Sequence, residues 1–211
     1  MIGEAPAMPH YWASAKRSLA RRDPVLGGII RVHPRVRLRS RGDPFQTLAR
    51  SIVGQQISVK AADSVWRRLV AVAPTMTPEA ILRVRRNRLA GAGLSQRKVE
   101  YIRDLAAQFV GGTVHPYRWP SMDDEAVIGE LVAVRGIGRW TAEMFLIFNL
   151  LRPDVLPVDD LGLRKAVSLH YREGEPIGAA ELRELGGAWA PWRSVATWYL
   201  WRSLDPVPVE Y

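Results

Sequence analysis

The sequence predicts an all-α protein, and three observations carry that prediction. Helix starts with a definite mechanism recur along the chain: Asp23-Pro24, Asp43-Pro44 and Thr77-Pro78 each set a capping side chain before a proline. The cap satisfies an orphan amide and the proline pre-sets φ at the first helical position. Apolar residues then follow at helical spacing, as at Val59, Ala62, Val65, Trp66, Leu69 and Val70. Strand-like alternation is nearly absent. It is confined to Ile30-Arg31-Val32 through Val36-Arg37-Leu38-Arg39, which Pro34 interrupts and which reads as an irregular basic connection.

Taken in order, the helices begin around His10 to Arg22 and continue with VLGGII after Asp23-Pro24, FQTLARSIVGQQ after Asp43-Pro44 and EAILRV after Thr77-Pro78. Ser58 is placed to cap VKAADSVWRRLVAV, and Ser95 to cap QRKVEYIRDLAAQFV, which Gly111-Gly112 stops. DDEAVIGELVAV, GRWTAEMFLIFNLL, DDLGLRKAVSLHY, AAELRELGGAW and RSVATWYLWRSL complete a series of ten or more short helices punctuated by Pro and Gly.

With 211 residues, 47% of them apolar, the chain has material for one large domain or two small lobes around a packed core. Thirty Lys and Arg against 21 Asp and Glu give a formal charge of +9, which favours a polyanionic partner: nucleic acid first, an anionic membrane surface second. The lack of any cysteine excludes disulfides, thiol catalysis, zinc-thiolate sites and cysteine-ligated iron–sulfur clusters. No secretory n-region and h-region open the chain, and no apolar run is long enough to span a bilayer. A soluble, cytoplasmic protein is the expectation.

The chemistry begins at LVAVRGIGRWTAEMFLIF, residues 131 to 148. Gly136 and Gly138, separated by Ile137 and lying between two helices, let the backbone turn tightly and leave its amides uncovered. Amides at a helix start, aided by the helix dipole, suit a phosphate and read no base. Further on, Leu156-Pro157-Val158-Asp159-Asp160 opens another helix. On spacing alone the glycines describe a tight αα turn and the paired aspartates describe helix caps.

GIGRWTA followed by PVDDLGLRKA resembles the helix-hairpin-helix DNA glycosylases, and among them the 3-methyladenine DNA glycosylase II type. LARSIVGQQIS (residues 48 to 58) is similar to that family's wedge segment, GAGLSQRKVEYIRDLA to its middle helix, and WAPWRSVATWYLW to its C-terminal helix. The four motifs cover about residues 43 to 202 in order. The resemblance implies two helical lobes with a cleft between them, approximately 40–125 carrying the wedge and 1–39 plus 126–211 carrying the hairpin and the catalytic aspartate. It also implies that the N-terminal β domain of the bacterial enzyme has no counterpart here.

By the same resemblance Asp160 is the catalytic carboxylate, Trp140 and Trp201 line the base pocket, and Gln56 with Gln55 beside it forms the wedge. Gly136, Gly138 and Thr141 bind phosphate, and backbone carbonyls near Val132, Val134 and Ile137 hold a monovalent cation, Na+ or K+, with no other cofactor required. Family members that also cleave the DNA backbone carry a Schiff-base lysine where this chain has Trp140, so the expected activity is monofunctional hydrolysis. Lys165 lies beyond the motif. Met144 and Leu161 stand where the family has aromatic residues, which implies a less aromatic, wider pocket.

These implications make the chain a glycosylase that hydrolyses the N-glycosidic bond of alkylated purines in double-stranded DNA and acts as a monomer. Two other readings stay open: a mismatch or deaminated-base glycosylase on the same scaffold, and a noncatalytic DNA-binding module whose aspartates only cap.

Overall fold

The computed structural model describes residues 9–34, 38, 40 and 42–204. Among these residues the chain is helical throughout, with no strand, and no helix is long and apolar enough to cross a membrane. Most of the basic stretch from Arg35 to Arg41 lies outside the described residues. Ile30–Val32, expected to belong to that connection, instead form the last turn of α2, because Ile29 and Ile30 are both buried and the His33 amide still reaches the Ile29 carbonyl (3.1 Å).

Two compact units are present. A flanking unit comprises the described residues up to Ser40 and from Leu146 onward, and a middle unit runs from Gly42 to Phe145. This division differs from the sequence expectation, which grouped residues 126–145 with the C-terminal helices. The reason is side-chain packing: α8 (Asp124–Val132) is held in the middle unit by Glu130, whose carboxylate accepts from the Trp119 indole (2.8 Å) and the His115 amide (3.1 Å). Phe145 of α9 (Arg139–Phe148) completes an edge-to-face series with Trp119, Phe109 and Phe45. The last residues of α9, from Leu146, belong to the flanking unit.

The remaining helices of the middle unit are α3 (Pro44–Gly54), α4 (Val59–Val72), α5 (Pro78–Arg83), α6 (Arg86–Gly91) and α7 (Gln96–Gly111). Asp43, Ser58, Thr77 and Ser95 each accept an amide hydrogen bond from the residue three positions on, so the starts of α3, α4, α5 and α7 are capped as expected. Each such cap contributes about 1 kcal/mol. Gly112, left-handed at φ +69°, ends α7. α7 packs against α3 and α5, burying Val99, Ile102, Leu105 and Ala106. Val59, expected on the buried stripe of α4, is exposed, and Trp66 is half-buried beneath Arg50.

In the flanking unit α1 (Trp12–Arg22), α2 (Pro24–Val32), α10 (Leu161–Tyr171) and α11 (Ala179–Gly187) accompany α12 (Arg193–Leu204), against which α1, α2 and α10 all pack. Ser194 through Leu200 and Arg202 are all buried, so most of α12 is enclosed and it lacks the polar face of a surface helix. Trp198 and Tyr199 are both buried in this core. Asp23 joins three elements, capping α2 with Oδ1 while Oδ2 accepts from Tyr171 (2.7 Å) and Trp189 (3.0 Å). Asp154 receives Arg193 bidentately at 2.7 and 2.8 Å and fixes the entry into α12.

Candidate functional site

The hairpin of the middle unit lies between α8 and α9. Its turn is closed by two short bonds, Val134 amide to Leu131 carbonyl and Ile137 amide to Val134 carbonyl, both 3.1 Å, while Asp104 takes the Arg135 amide at 2.9 Å. Ile137 is buried and pins the turn to its unit. Gly136 has φ +86°, and a Cβ on it would lie 2.2 Å from Cδ2 of Tyr101. Only glycine satisfies both conditions. Around Gly138, by contrast, a Cβ would meet nothing.

Among the described residues the amides of Gly136 and Gly138 donate to no protein acceptor. They sit at the N-terminus of α9, where the helix dipole adds positive potential, so an anion is favoured at this point. The neighbouring Arg139 is exposed but engaged, pairing with Glu125 and, at 3.1 Å, with Glu143. Its hydrogen bond holds the Glu125 carboxyl below the usual range. The amides of Gly136 and Gly138 are thus donors of this turn that no carboxylate occupies. Thr141 is buried one residue beyond Trp140, which is 38% exposed; Met144, a turn later, is 6% exposed.

The segment expected to carry the wedge belongs to the same unit. α3 ends at Gly54, Gln55 is its C-cap, and Gln56 is exposed with a left-handed backbone at φ +59° before Ser58 caps α4. The two glutamines, expected to act together, are differently placed. Gln55 turns its side-chain amide into the unit and donates to the Gly136 carbonyl at 2.8 Å, whereas Gln56 projects into solvent. Lys98, on α7, donates to the carbonyls of Val53 (2.8 Å) and Gln55 (2.7 Å). Burial lowers its pKa.

In the flanking unit Asp160 is the N-cap of α10 and is only 8% exposed. Its Oδ1 accepts the Leu163 amide at 2.6 Å and the Trp201 indole N–H at 2.7 Å. Trp201 is also stacked on Phe148, with centroids 5.9 Å apart and planes at 12°. Gly162 makes this convergence possible, since a Cβ there would lie 3.2 Å from Asp160 Oδ1 and 3.3 Å from the Trp201 ring. Asp159 is exposed and ion-paired with Arg164 (3.0 Å), which distinguishes the two acids by environment. Leu161 is 79% exposed next to the carboxylate. Lys165 lies exposed on α10.

The donor set for a cation at the hairpin is backbone only. No cluster of three His, Asp or Glu able to hold a metal occurs among the described residues. Val134 spends one lone pair of its carbonyl on the Ile137 amide and keeps the other, so a hard monovalent cation with oxygen ligands is compatible with the turn.

Three relationships carried no local signal in the sequence: the bond from Gln55 to Gly136, the grip of Lys98 on the end of α3, and the bond from Trp201 to Asp160. Trp201 was expected only as a pocket wall. A glycine two residues into a helix, at 162, was the one available hint of a close approach.

Comparison with known proteins identifies the family and the fold. A family profile described as HhH-GPD superfamily base excision DNA repair protein matches residues 49–191. The chain is similar to DNA-3-methyladenine glycosylase 1 of Schizosaccharomyces pombe, with 31% identity over 165 residues that span 76% of this chain and 72% of that protein. It is also similar to a putative DNA-3-methyladenine glycosylase of Bacillus subtilis, 30% identical over 169 residues, where it spans 59% of the relative's length. Among solved structures, the DNA-3-methyladenine glycosidase of Bacillus halodurans superposes with a TM-score of 0.83 at 37% identity, over 90% of this chain and 89% of that one. The S. pombe 3-methyladenine DNA glycosylase Mag1, in complex with abasic DNA, gives 0.81 at 27% identity over 94% and 98%. With most of its length matched, the chain belongs to the HhH-GPD superfamily of base excision DNA repair proteins.

Proposed function

We propose that this chain is a monofunctional DNA glycosylase that hydrolyses the N-glycosidic bond of alkylated purines in duplex DNA and leaves an abasic site. The observation that carries the reading is Asp160: a carboxylate fixed by Leu163 and Trp201 at a helix start, in a chain whose hairpin offers Trp140 where a lyase needs lysine. Cleavage of the C1′–N bond develops positive charge on the sugar, and a preorganised carboxylate stabilises that charge and orients the attacking water. An N3- or N7-alkylated purine is already cationic. It leaves as a neutral base and needs no general acid.

The half-exposed ring of Trp140 suits a cationic base, which stacking and cation–π attraction both favour over a neutral one. The amides of Gly136 and Gly138 hold a phosphate, and a monovalent cation on the carbonyls of Val132, Val134 and Ile137 would add charge beside them. Gln56 fills the gap left by the extruded nucleotide, and the protein acts as a monomer.

A panel of duplexes carrying an alkylpurine, hypoxanthine, uracil or a G·T mismatch tests the reading. Release of the alkylpurine, with strand breaks appearing only after added alkali and no covalent adduct under borohydride, is the expected outcome. Activity confined to the other three lesions would overturn the substrate class in favour of a mismatch or deaminated-base glycosylase, the rival that Met144 and the exposed Leu161 favour.

A further inference from the structure

We infer that Gln55 and Lys98 are positioning residues for base extrusion: Lys98 braces the turn that presents Gln56 and Gln55 ties that turn to the carbonyl side of the phosphate-gripping hairpin, so that grip and wedge act as one rigid piece. The turn from Gly54 to Ile57 is poorly held by its own backbone. Its two internal bonds, Gln55 amide to Ile52 carbonyl and Ile57 amide to Gly54 carbonyl, are both 3.4 Å long. Gln56 is left-handed at φ +59°, a conformation that an L residue with a Cβ rarely adopts.

The short bonds come from outside. Lys98 Nζ donates at 2.8 Å to Val53 and at 2.7 Å to Gln55, covering two of the carbonyls that the end of α3 leaves without helical partners. Gln55 Nε2 donates at 2.8 Å to the carbonyl of Gly136. That carbonyl cannot drift, because Gly136 is itself backed by the Tyr101 ring. A phosphate seated on the amides of the hairpin and a wedge side chain on the facing turn are thus joined through one residue, Gly136, whose amide is uncovered and whose carbonyl takes Gln55. Wedge insertion works against base stacking, so a turn free to yield would dissipate the push.

This rests on the glycosylase reading, and the experiment separates the two. A duplex with 2-aminopurine next to the lesion reports unstacking on binding, whether or not a bond is then cut. Single-turnover release is followed in parallel from a paired duplex and from one in which the lesion faces an abasic site. Gln55→Ala removes one donor, Gln55→Glu sets a carboxylate against the carbonyl, and Lys98→Met removes two donors.

Each variant is expected to blunt the fluorescence rise and to slow release from the paired duplex about tenfold, the effect of one or two lost hydrogen bonds. With no partner base to displace, the slowing should shrink to about threefold or less. Lys98→Arg, which keeps its donors, should restore extrusion. Equal slowing on both duplexes, or an unaltered fluorescence rise, overturns the inference. If the wild-type protein unstacks the neighbour but releases no base, the glycosylase reading falls and the fluorescence of the variants alone decides the role of Gln55 and Lys98.

Discussion

Trp201 donates its indole N–H to Oδ1 of Asp160 across 2.7 Å, onto the same oxygen that the Leu163 amide reaches at 2.6 Å. Two donors from different helical positions therefore fix the plane of one carboxylate. Trp201→Phe keeps the stacking on Phe148 and loses the donor. Single-turnover excision should fall about tenfold, as for one charge-assisted hydrogen bond, with little change in affinity for an abasic duplex. A loss of affinity matching the loss of rate would show that Trp201 serves binding instead.

Asp160→Asn separates chemistry from capping. Asparagine caps as well as aspartate, so unfolding stability should stay within about 1 kcal/mol of wild type. Excision should drop by about two to four orders of magnitude, because the amide carries no charge to oppose the developing cation. Electrophoretic binding to an abasic duplex should persist. Unchanged excision would remove Asp160 from the mechanism.

The two hairpin glycines should respond differently to alanine. Gly136→Ala meets the Tyr101 ring and an unfavourable positive φ, and is expected to cost about 2 kcal/mol or more in a urea melt. Gly138→Ala meets no atom and should fold within about 0.5 kcal/mol of wild type. DNA binding is the second readout. A Gly136→Ala protein as stable as wild type would show that the ring yields.

Glu130 gives a pH dependence with a definite sign. Burial alone would raise its pKa, but hydrogen bonds from Trp119 and His115 outweigh it and hold the carboxyl below its ordinary value of 4.5. A depressed folded-state value contributes stability that is present above 4.5 and is lost as the pH falls through the lower folded value. Glu130→Gln should thus be less stable than wild type at neutral pH, and the gap should close on acidification below that point. Thermal melts across the acid range measure it; a constant gap would mean the ionised form is not what Trp119 and His115 stabilise.

What the sequence made legible was local. Asp43, Ser58, Thr77 and Ser95 cap the helices they were expected to cap, and Gly112 ends α7, because these contacts span three or four residues and leave their mark in spacing. The turn at Gly136-Ile137-Gly138 and the cap at Asp160 were readable for the same reason, whereas their roles in the site came only from the resemblance. The unit boundary was not, since it depends on Glu130, Trp119 and Phe145 meeting through packing. Nor were the bonds to Gly136 from Gln55 and to Asp160 from Trp201, which join positions 81 and 41 residues apart. Glutamine or tryptophan in a helix-rich sequence carries no imprint of a partner that distant.

The cap at Asp160 bears on how relatives of this chain should be interpreted. Folding alone favours a short oxygen-bearing side chain there, whatever happens to the chemistry. A descendant that had abandoned base excision would be under pressure to retain aspartate, asparagine, serine or threonine at that point, so an acid at this position in a genome is weak testimony to a working enzyme. The indole at 201 is better testimony. A helix start has no use for it, and its drift to a side chain without a donor would be the earlier sign of a glycosylase turning into a plain DNA-binding protein.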